Sequence, residues 1–285
     1  MPLTTVATIA ALRDELDAAR AAGRRVGLVP TMGYLHAGHA SLMAAARADT
    51  DVVVASIFVN PLQFGPGEDL GAYPRDLAAD TALARAEGVD LLFVPSAMEM
   101  YPDGGVHTTV TVAGVSAPLE GQARPTHFVG VATVVAKLFA IVGPCRAYFG
   151  EKDFQQVAVV RQMVRDLSLP VDVVACPTTR EADGLALSSR NAYLTEAERA
   201  AAPVIHAALL VGRLAIDAGE RDGGRVRALM VELIEAEPLA EVDYVEVVDA
   251  STLEVVEPLE GDLRLLAAVQ LGRARLIDNI GAAAL

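Results

Sequence analysis

Apolar positions fall into two alternating kinds of run over the first two-thirds of the chain. One kind is short and continuous: residues 24–30 (RRVGLVP), 52–61 (VVVASIFVNP), 89–95 (VDLLFVP), 146–150 (RAYFG) and 171–176 (VDVVAC). The other repeats with helical spacing, over 7–23, 39–49, 75–88 with its glycine stop at Gly88, 127–142 and 153–167. Strands that are apolar without alternation are buried on both faces, and amphipathic helices between them supply the cover. The pattern predicts a Rossmann-like, doubly wound α/β fold on a parallel sheet. In such sheets ligands bind beyond the carboxyl ends of the strands.

The rhythm changes after about residue 178. Helices are predicted over 195–219 and 223–237, and strands close in sequence over 242–249, 263–272 and 274–280. Helices and strands grouped in this way indicate an α+β unit. Two domains are therefore expected, 1–178 and a smaller 179–285, joined beside the polar stretch TTREADGLALSSRN.

Composition narrows the function. A chain of 285 residues with 53% apolar content can build a full core. The net charge of −14 disfavours general nucleic-acid binding, which rests on neutralising phosphates. Any polyanion bound should be small and held by a few local positive groups. Cys145 and Cys176 stand far apart and are expected as buried, reduced thiols. The N-terminus has no basic start followed by a long apolar run, and no stretch reaches about 18 uninterrupted apolar residues. The expectation is a cytoplasmic chain with no membrane span.

The chemistry concentrates in VPTMGYLHAGHASL (29–42), where His36 and His39 follow a strand among glycines. A metal reading needs a third ligand, and residues 26–48 offer no acid or cysteine. A capping or packing role for the histidines is the plain reading. The third is an anion site: Gly33 and Gly38 let backbone approach a ligand, and a helix beginning near Gly38 presents free N–H groups and a favourable dipole. Imidazoles at that end add donors for phosphate. Strand, glycine turn, His-x-Gly-His and helix favour a nucleotide.

PTMGYLHAGH resembles the HxGH motif of the nucleotidyltransferase superfamily, and the longer word is similar to that of the pantoate–β-alanine ligase family. SIFVNPLQF (56–64), RPTHFVGV (124–131), FGEKDFQQ (149–156), ADGLALSSRNAYL (182–194) and RLIDNI (275–280) are similar to family segments in order and spacing. The resemblance implies ATP-dependent joining of pantoate to β-alanine through a pantoyl adenylate, with release of AMP and pyrophosphate. Mg²⁺ is implied with the ATP, and a homodimer is implied by the family's habit. An acidic pair that some members carry after the YPR word is broken here, with Asp76 and Asp80 separated by Ala79 among others, so no protein metal ligand is named. A different nucleotidyltransferase would keep HxGH without FVNPLQF or FGEKDFQQ, and a nucleotide sensor would bind ATP without releasing pyrophosphate.

The resemblance also implies roles, residue by residue. His36, His39 and Lys152 are the expected catalytic residues, with His39 the proton donor by carry-over. Lys152 stands at a strand-to-helix turn, and it and Lys137 are the only lysines in the chain. Met32, Gly33, Gly150, Glu151, Asp153, Thr179 and Leu187 are expected to line the nucleotide. Ser188, Ser189 and Arg190 supply two hydroxyls and a guanidinium for phosphate oxygens, in a segment resembling one that closes over the nucleotide; this makes the second domain a lid. A plain turn with a helix cap is the alternative for that segment. Gln63 and Gln156 are expected to hold pantoate, with Gln63 also near β-alanine, and Asn60 and Tyr73 to complete the pocket. The resemblance leaves Arg124 and His127 without a role.

Overall fold

The computed structural model describes residues 3–65 and 69–284. The chain forms two compact units: Met1–Glu151 with Gln155–Pro177, and Lys152–Phe154 with Thr178–Leu285. Three residues from the middle of the first unit's sequence thus group with the second.

The first unit is built on a six-stranded parallel sheet of order β1-β4-β3-β2-β5-β6. Its strands are β1 (Thr4–Val6), β2 (Val26–Thr31), β3 (Val52–Ile57), β4 (Leu91–Phe93), β5 (Cys145–Gly150) and β6 (Val171–Cys176). The helices are α1 (Ile9–Ala21), α2 (Ala37–Asp49), α3 (Leu77–Ala86), the short α4 (Ala97–Met100) and α5 (Glu120–Ala123), α6 (His127–Val142) and α7 (Phe154–Asp166). Successive strand residues enter opposite cores. Val52, Val54, Leu91, Phe93, Ala147 and Phe149 pack with residues of α1, α6 and α7. Val53, Ala55, Leu92 and Tyr148 pack with Leu42, Met43 and Ala46 of α2 and Ala84 of α3. Burial on both faces is why these strands read as unbroken apolar runs. The strand order reverses at β2, which lies between β3 and β5, so a ligand crevice belongs at the carboxyl ends of β2 and β5.

The second unit carries an antiparallel sheet of β7 (Ala240–Asp249), β8 (Gly261–Leu271) and β9 (Ala274–Ala284). Its helices are α8 (Glu196–Ala201), α9 (Val204–Asp217) and α10 (Gly223–Glu235). Ile205, Leu209 and Ile216 of α9 and Val226, Met230 and Ile234 of α10 share a core with Leu265, Ala267 and Val269 of β8. The run Glu196–Asp217 is long and apolar enough to cross a membrane by length and composition. Ala201, Ile205, Ala208, Leu209 and Ile216 of this run are buried in this core, and Leu214 is exposed.

β1, the end of β3 and the helix over 195–219 depart from the sequence pattern, and the short α4 and α5 were not predicted by it. β1 was not expected, because three residues are too few to show a period; it pairs with β4 from Thr4 opposite Leu91. The strand expected over 52–61 ends at Ile57, and Pro61–Gln63 turn as a 3₁₀ helix capped by the Asn60 side chain. The single helix expected over 195–219 divides at Ala202–Pro203, where proline has no N–H for the helical ladder.

Candidate active site

In the first unit, the segment after β2 is held almost entirely by side chains. Thr31 Oγ1 donates to the Ser56 carbonyl at 2.6 Å and accepts the Gly33 N–H at 3.1 Å. Asp80 reaches in from α3 and is 2% exposed. Its two carboxylate oxygens accept the N–H groups of Tyr34 and Leu35 at 2.9 and 2.6 Å. Burial pushes the Asp80 carboxyl up, and those two N–H groups oppose the shift. Gly33 has φ +86°, and a Cβ there would lie 3.0 Å from Asp80 Oδ2. Glycine is needed both for the conformation and for the room.

The two histidines then cap α2 reciprocally. His36 Nδ1 accepts the Gly38 N–H at 3.1 Å, and His39 Nδ1 accepts the His36 N–H at 3.3 Å. Their ring centroids are 4.1 Å apart. An imidazole accepting at Nδ1 carries its proton, when neutral, on Nε2. Capping and ligand binding are therefore compatible, since Nδ1 serves the helix and Nε2–H is the donating edge. At the helix start, the Gly38 N–H has the His36 ring as acceptor and the His39 N–H has the His36 carbonyl, and in the turn before it the N–H groups of Gly33, Tyr34, Leu35 and His36 have side-chain acceptors. Met32, in the turn between β2 and α2, is half-buried. Among the described residues, no group of three or more His, Cys, Asp or Glu is placed to hold a metal ion.

After β3, Asn60 is fully buried and all its hydrogen-bonding capacity is engaged. Its Oδ1 accepts from the Tyr101 hydroxyl at 2.8 Å and the Leu62 N–H at 3.3 Å. Its Nδ2 donates to Gln63 Oε1 and the Gly130 carbonyl, each at 3.1 Å. The amide expected in the substrate pocket is thus occupied in fixing its neighbour: with Gln63 Oε1 engaged, the Gln63 Nε2 donors are the part of that side chain directed by Asn60. The Gln63 carbonyl accepts from Arg124 at 3.1 Å and lies 3.0 Å from His127 Nδ1. These contacts give the RPTH segment, which sequence reasoning left without a role, the task of holding this turn. Gly130 completes the packing, since a Cβ there would lie 2.1 Å from the Leu62 carbonyl. Tyr73 is buried with its ring edge-on to Phe64, centroids 5.9 Å apart.

Gly150 ends β5, and Glu151–Asp153 form a 3₁₀ turn. On α7 the neighbouring glutamines separate. Gln155 is buried, with Nε2 donating to the Val115 and Pro118 carbonyls and Oε1 accepting the Glu120 N–H. Gln156 is half-buried on the adjoining face.

In the second unit, Lys152 is part-buried, its Nζ 3.5 Å from Asp153 Oδ1. Residues 179–187 form a narrow hairpin, with Leu187 N–H to the Thr179 carbonyl at 3.0 Å and Glu181 N–H to the Leu185 carbonyl at 2.8 Å. Ser188 follows and caps the 3₁₀ turn Ser189–Tyr193 by accepting the Arg190 N–H at 3.3 Å. The cap read as an alternative for this segment is present. Sequence reasoning missed the buried cluster beneath it. Arg180 makes a two-point pair with Asp278 at 2.6 and 2.9 Å, and His206 Nδ1 lies 3.8 Å from the same carboxylate. Burial holds the His206 pKa below its usual value, with Arg180 acting in the same direction. RLIDNI marked the strand, but a buried charge on it leaves no periodic signal.

The sequence profile described as pantoate-beta-alanine ligase matches residues 4–281. The pantothenate synthetase of Herpetosiphon aurantiacus is 53% identical over 268 residues, covering 94% of this chain and 97% of that one. The crystal structure of pantothenate synthetase from Thermus thermophilus is similar with a TM-score of 0.92 at 51% identity, covering 98% and 99%. That of the pantoate-beta-alanine ligase from Francisella tularensis, complexed with beta-gamma ATP and beta-alanine, aligns with a TM-score of 0.81 at 33% identity, covering 98% and 97%.

Proposed function

The chain belongs to the pantoate–β-alanine ligase family, and on that premise we propose how its residues divide the work of joining pantoate to β-alanine with ATP. The pantoate carboxylate attacks the α-phosphorus, forming pantoyl adenylate and expelling pyrophosphate. The β-alanine amine then attacks the acyl carbon, and AMP leaves. Neither step needs a covalent bond to protein, so positioning and charge stabilisation supply the catalysis.

The observation that carries this reading is the paired imidazole cap beyond β2, beside the reversal of strand order. His36 and His39 donate hydrogen bonds from Nε2 to ATP phosphates and stabilise the leaving pyrophosphate; His39 serves as proton donor in its doubly protonated form, in which Nδ1 no longer accepts the His36 N–H. Lys152, Ser188, Ser189 and Arg190 take the remaining triphosphate charge. Met32, Gly33, Gly150, Glu151, Asp153, Thr179 and Leu187 line the nucleotide. Gln63 and Gln156 hold pantoate, Gln63 also meets β-alanine, and Asn60 and Tyr73 support that pocket from behind. Mg²⁺ bound with the ATP would neutralise charge on the phosphates. Both Asp80 oxygens and Asp76 Oδ1 accept backbone N–H groups, so these carboxylates already serve the local backbone, and no protein ligand for the metal is named. The enzyme works as a cytoplasmic homodimer without nucleic acid or membrane; light scattering of the purified chain checks its assembly.

The test is to incubate the protein with ATP, Mg²⁺, pantoate and β-alanine and to follow AMP and pantothenate by mass spectrometry, omitting each substrate in turn. Both products should require all three substrates. Unchanged ATP under every condition would refute the ligase reading.

A further inference from the structure

RLIDNI is a sequence word that the proposed chemistry leaves without a task. It lies on β9, and its Asp278 and Asn279 are 4% and 3% exposed. Buried polar groups on a strand are kept only when they are fully bonded, and the partners of these two are informative. Asn279 Nδ2 donates to the Lys152 carbonyl at 2.8 Å, and Asn279 Oδ1 accepts from Arg264 Nε at 2.7 Å. The Arg264 guanidinium lies 4.0 Å from the centre of the Phe154 ring. The three residues Lys152–Phe154 are thus gripped at both ends by one asparagine and the arginine it binds. The adjacent Asp278 takes both arms of Arg180, which also donates to the Gly184 carbonyl at 3.0 Å, in the hairpin that leads into Ser188. Lys152, Ser188, Asn191, His206 and Asp278 line one small cavity.

We infer that Asn279 is a positioning residue for Lys152, and that Asp278–Asn279 form a junction holding both phosphate-binding segments of the second unit, 152–154 and 180–190, to one strand. A lysine is a point charge on a flexible stem, so its usefulness depends on where its backbone is fixed. Glu151–Asp153 is a single 3₁₀ turn. A turn so short has little internal bonding to set that position, and the Asn279 amide supplies it from outside.

This inference rests on the reading of Lys152 as a triphosphate ligand, and a double-mutant cycle separates the two. Affinity for α,β-methylene-ATP with Mg²⁺ is measured by calorimetry for the full chain, Asn279→Asp, Lys152→Ala and the double variant. Asn279→Asp keeps an acceptor for Arg264 and loses the donor to Lys152. It should weaken binding about tenfold in the parent, the scale of one good hydrogen bond. In the Lys152→Ala background it should change binding by less than about twofold, because residues acting through one another are not additive. An equal loss in both backgrounds, or no loss in the parent, would overturn the positioning role while leaving Lys152 a ligand. Lys152→Ala binding as tightly as the parent would remove the Lys152 reading and the inference with it. Asn279→Ser, which adds no charge beside Asp278, replaces Asn279→Asp if the latter does not fold.

Discussion

A buried carboxylate decides the shape of the histidine turn. Asp80 contributes both oxygens to consecutive N–H groups, and without it Tyr34 and Leu35 lose their acceptors. Each buried group left unsatisfied costs about 1–3 kcal/mol. Asp80→Ala should lower unfolding stability by roughly that amount or more in urea titration, and should slow pyrophosphate release because the imidazoles lose their platform. Wild-type stability and rate together would contradict this role. His39→Ala and Lys152→Ala test the chemistry itself. Losing one preorganised donor to developing charge costs about 2.7–4 kcal/mol, so adenylate formation should slow roughly a hundredfold or more in single-turnover quench flow. A near-parental rate would remove the residue from the machinery. At this scale the sequence was informative about residue types and less so about their bonds. His36, His39 and Lys152 stand out as candidates by rarity and position. Asp80 was visible only as half of a broken acidic pair, because its partners lie more than 40 residues away in the chain.

The elements deliver these residues by close approach. Helix α6 rests against the Pro61–Gln63 turn at Gly130, where a Cβ would lie 2.1 Å from the Leu62 carbonyl. Gly130→Ala should therefore push the turn away from Asn60 and reorient Gln63. Such overpacking typically costs about 1–3 kcal/mol, and the KM for pantoate should rise more than the KM for ATP in steady-state assays. Equal changes in both constants would count against Gln63 as the pantoate residue. Parallel strands and their covering helices were legible because double-sided burial imposes unbroken apolar runs. β1 was too short to carry a period, and the end of β3 and the break at Pro203 depend on single residues that a hydrophobic pattern averages over.

For the molecule as a whole, the titrating groups define a window of stability. Burial pushes Tyr101 and Tyr148 up to about 12 from 10.0, and Cys145 up to about 12 from 9.0. The folded state keeps these protons longer than the unfolded chain does. Their contribution is complete below pH 9 and is lost as pH rises toward 12. In the opposite direction, Asp183 beside Arg199 and Asp249 beside Ser251 are held below 3.8 by those hydrogen bonds. Their contribution is present above that value and disappears as pH falls through the folded pKa. Thermal midpoints should decline on both sides of a neutral plateau, and Tyr101→Phe should flatten the alkaline decline. An alkaline limb unchanged by that substitution would show that Tyr101 does not contribute to it. The change of rhythm near residue 178 predicts a second domain from residue 179, but nothing in it marks the grouping of Lys152–Phe154 with the second unit, which depends on Asn279 and Arg264 more than 100 residues later. The account turns on a pantoyl adenylate, and oxygen tracing tests it most directly. Pantoate labelled with ¹⁸O in its carboxylate is turned over with ATP and β-alanine, and the phosphorus products are weighed by mass spectrometry. The account predicts one ¹⁸O in the phosphate of each AMP, because the attacking oxygen stays on phosphorus when the amine displaces it from the acyl carbon. Unlabelled AMP, or label in inorganic phosphate alongside ADP, would contradict it.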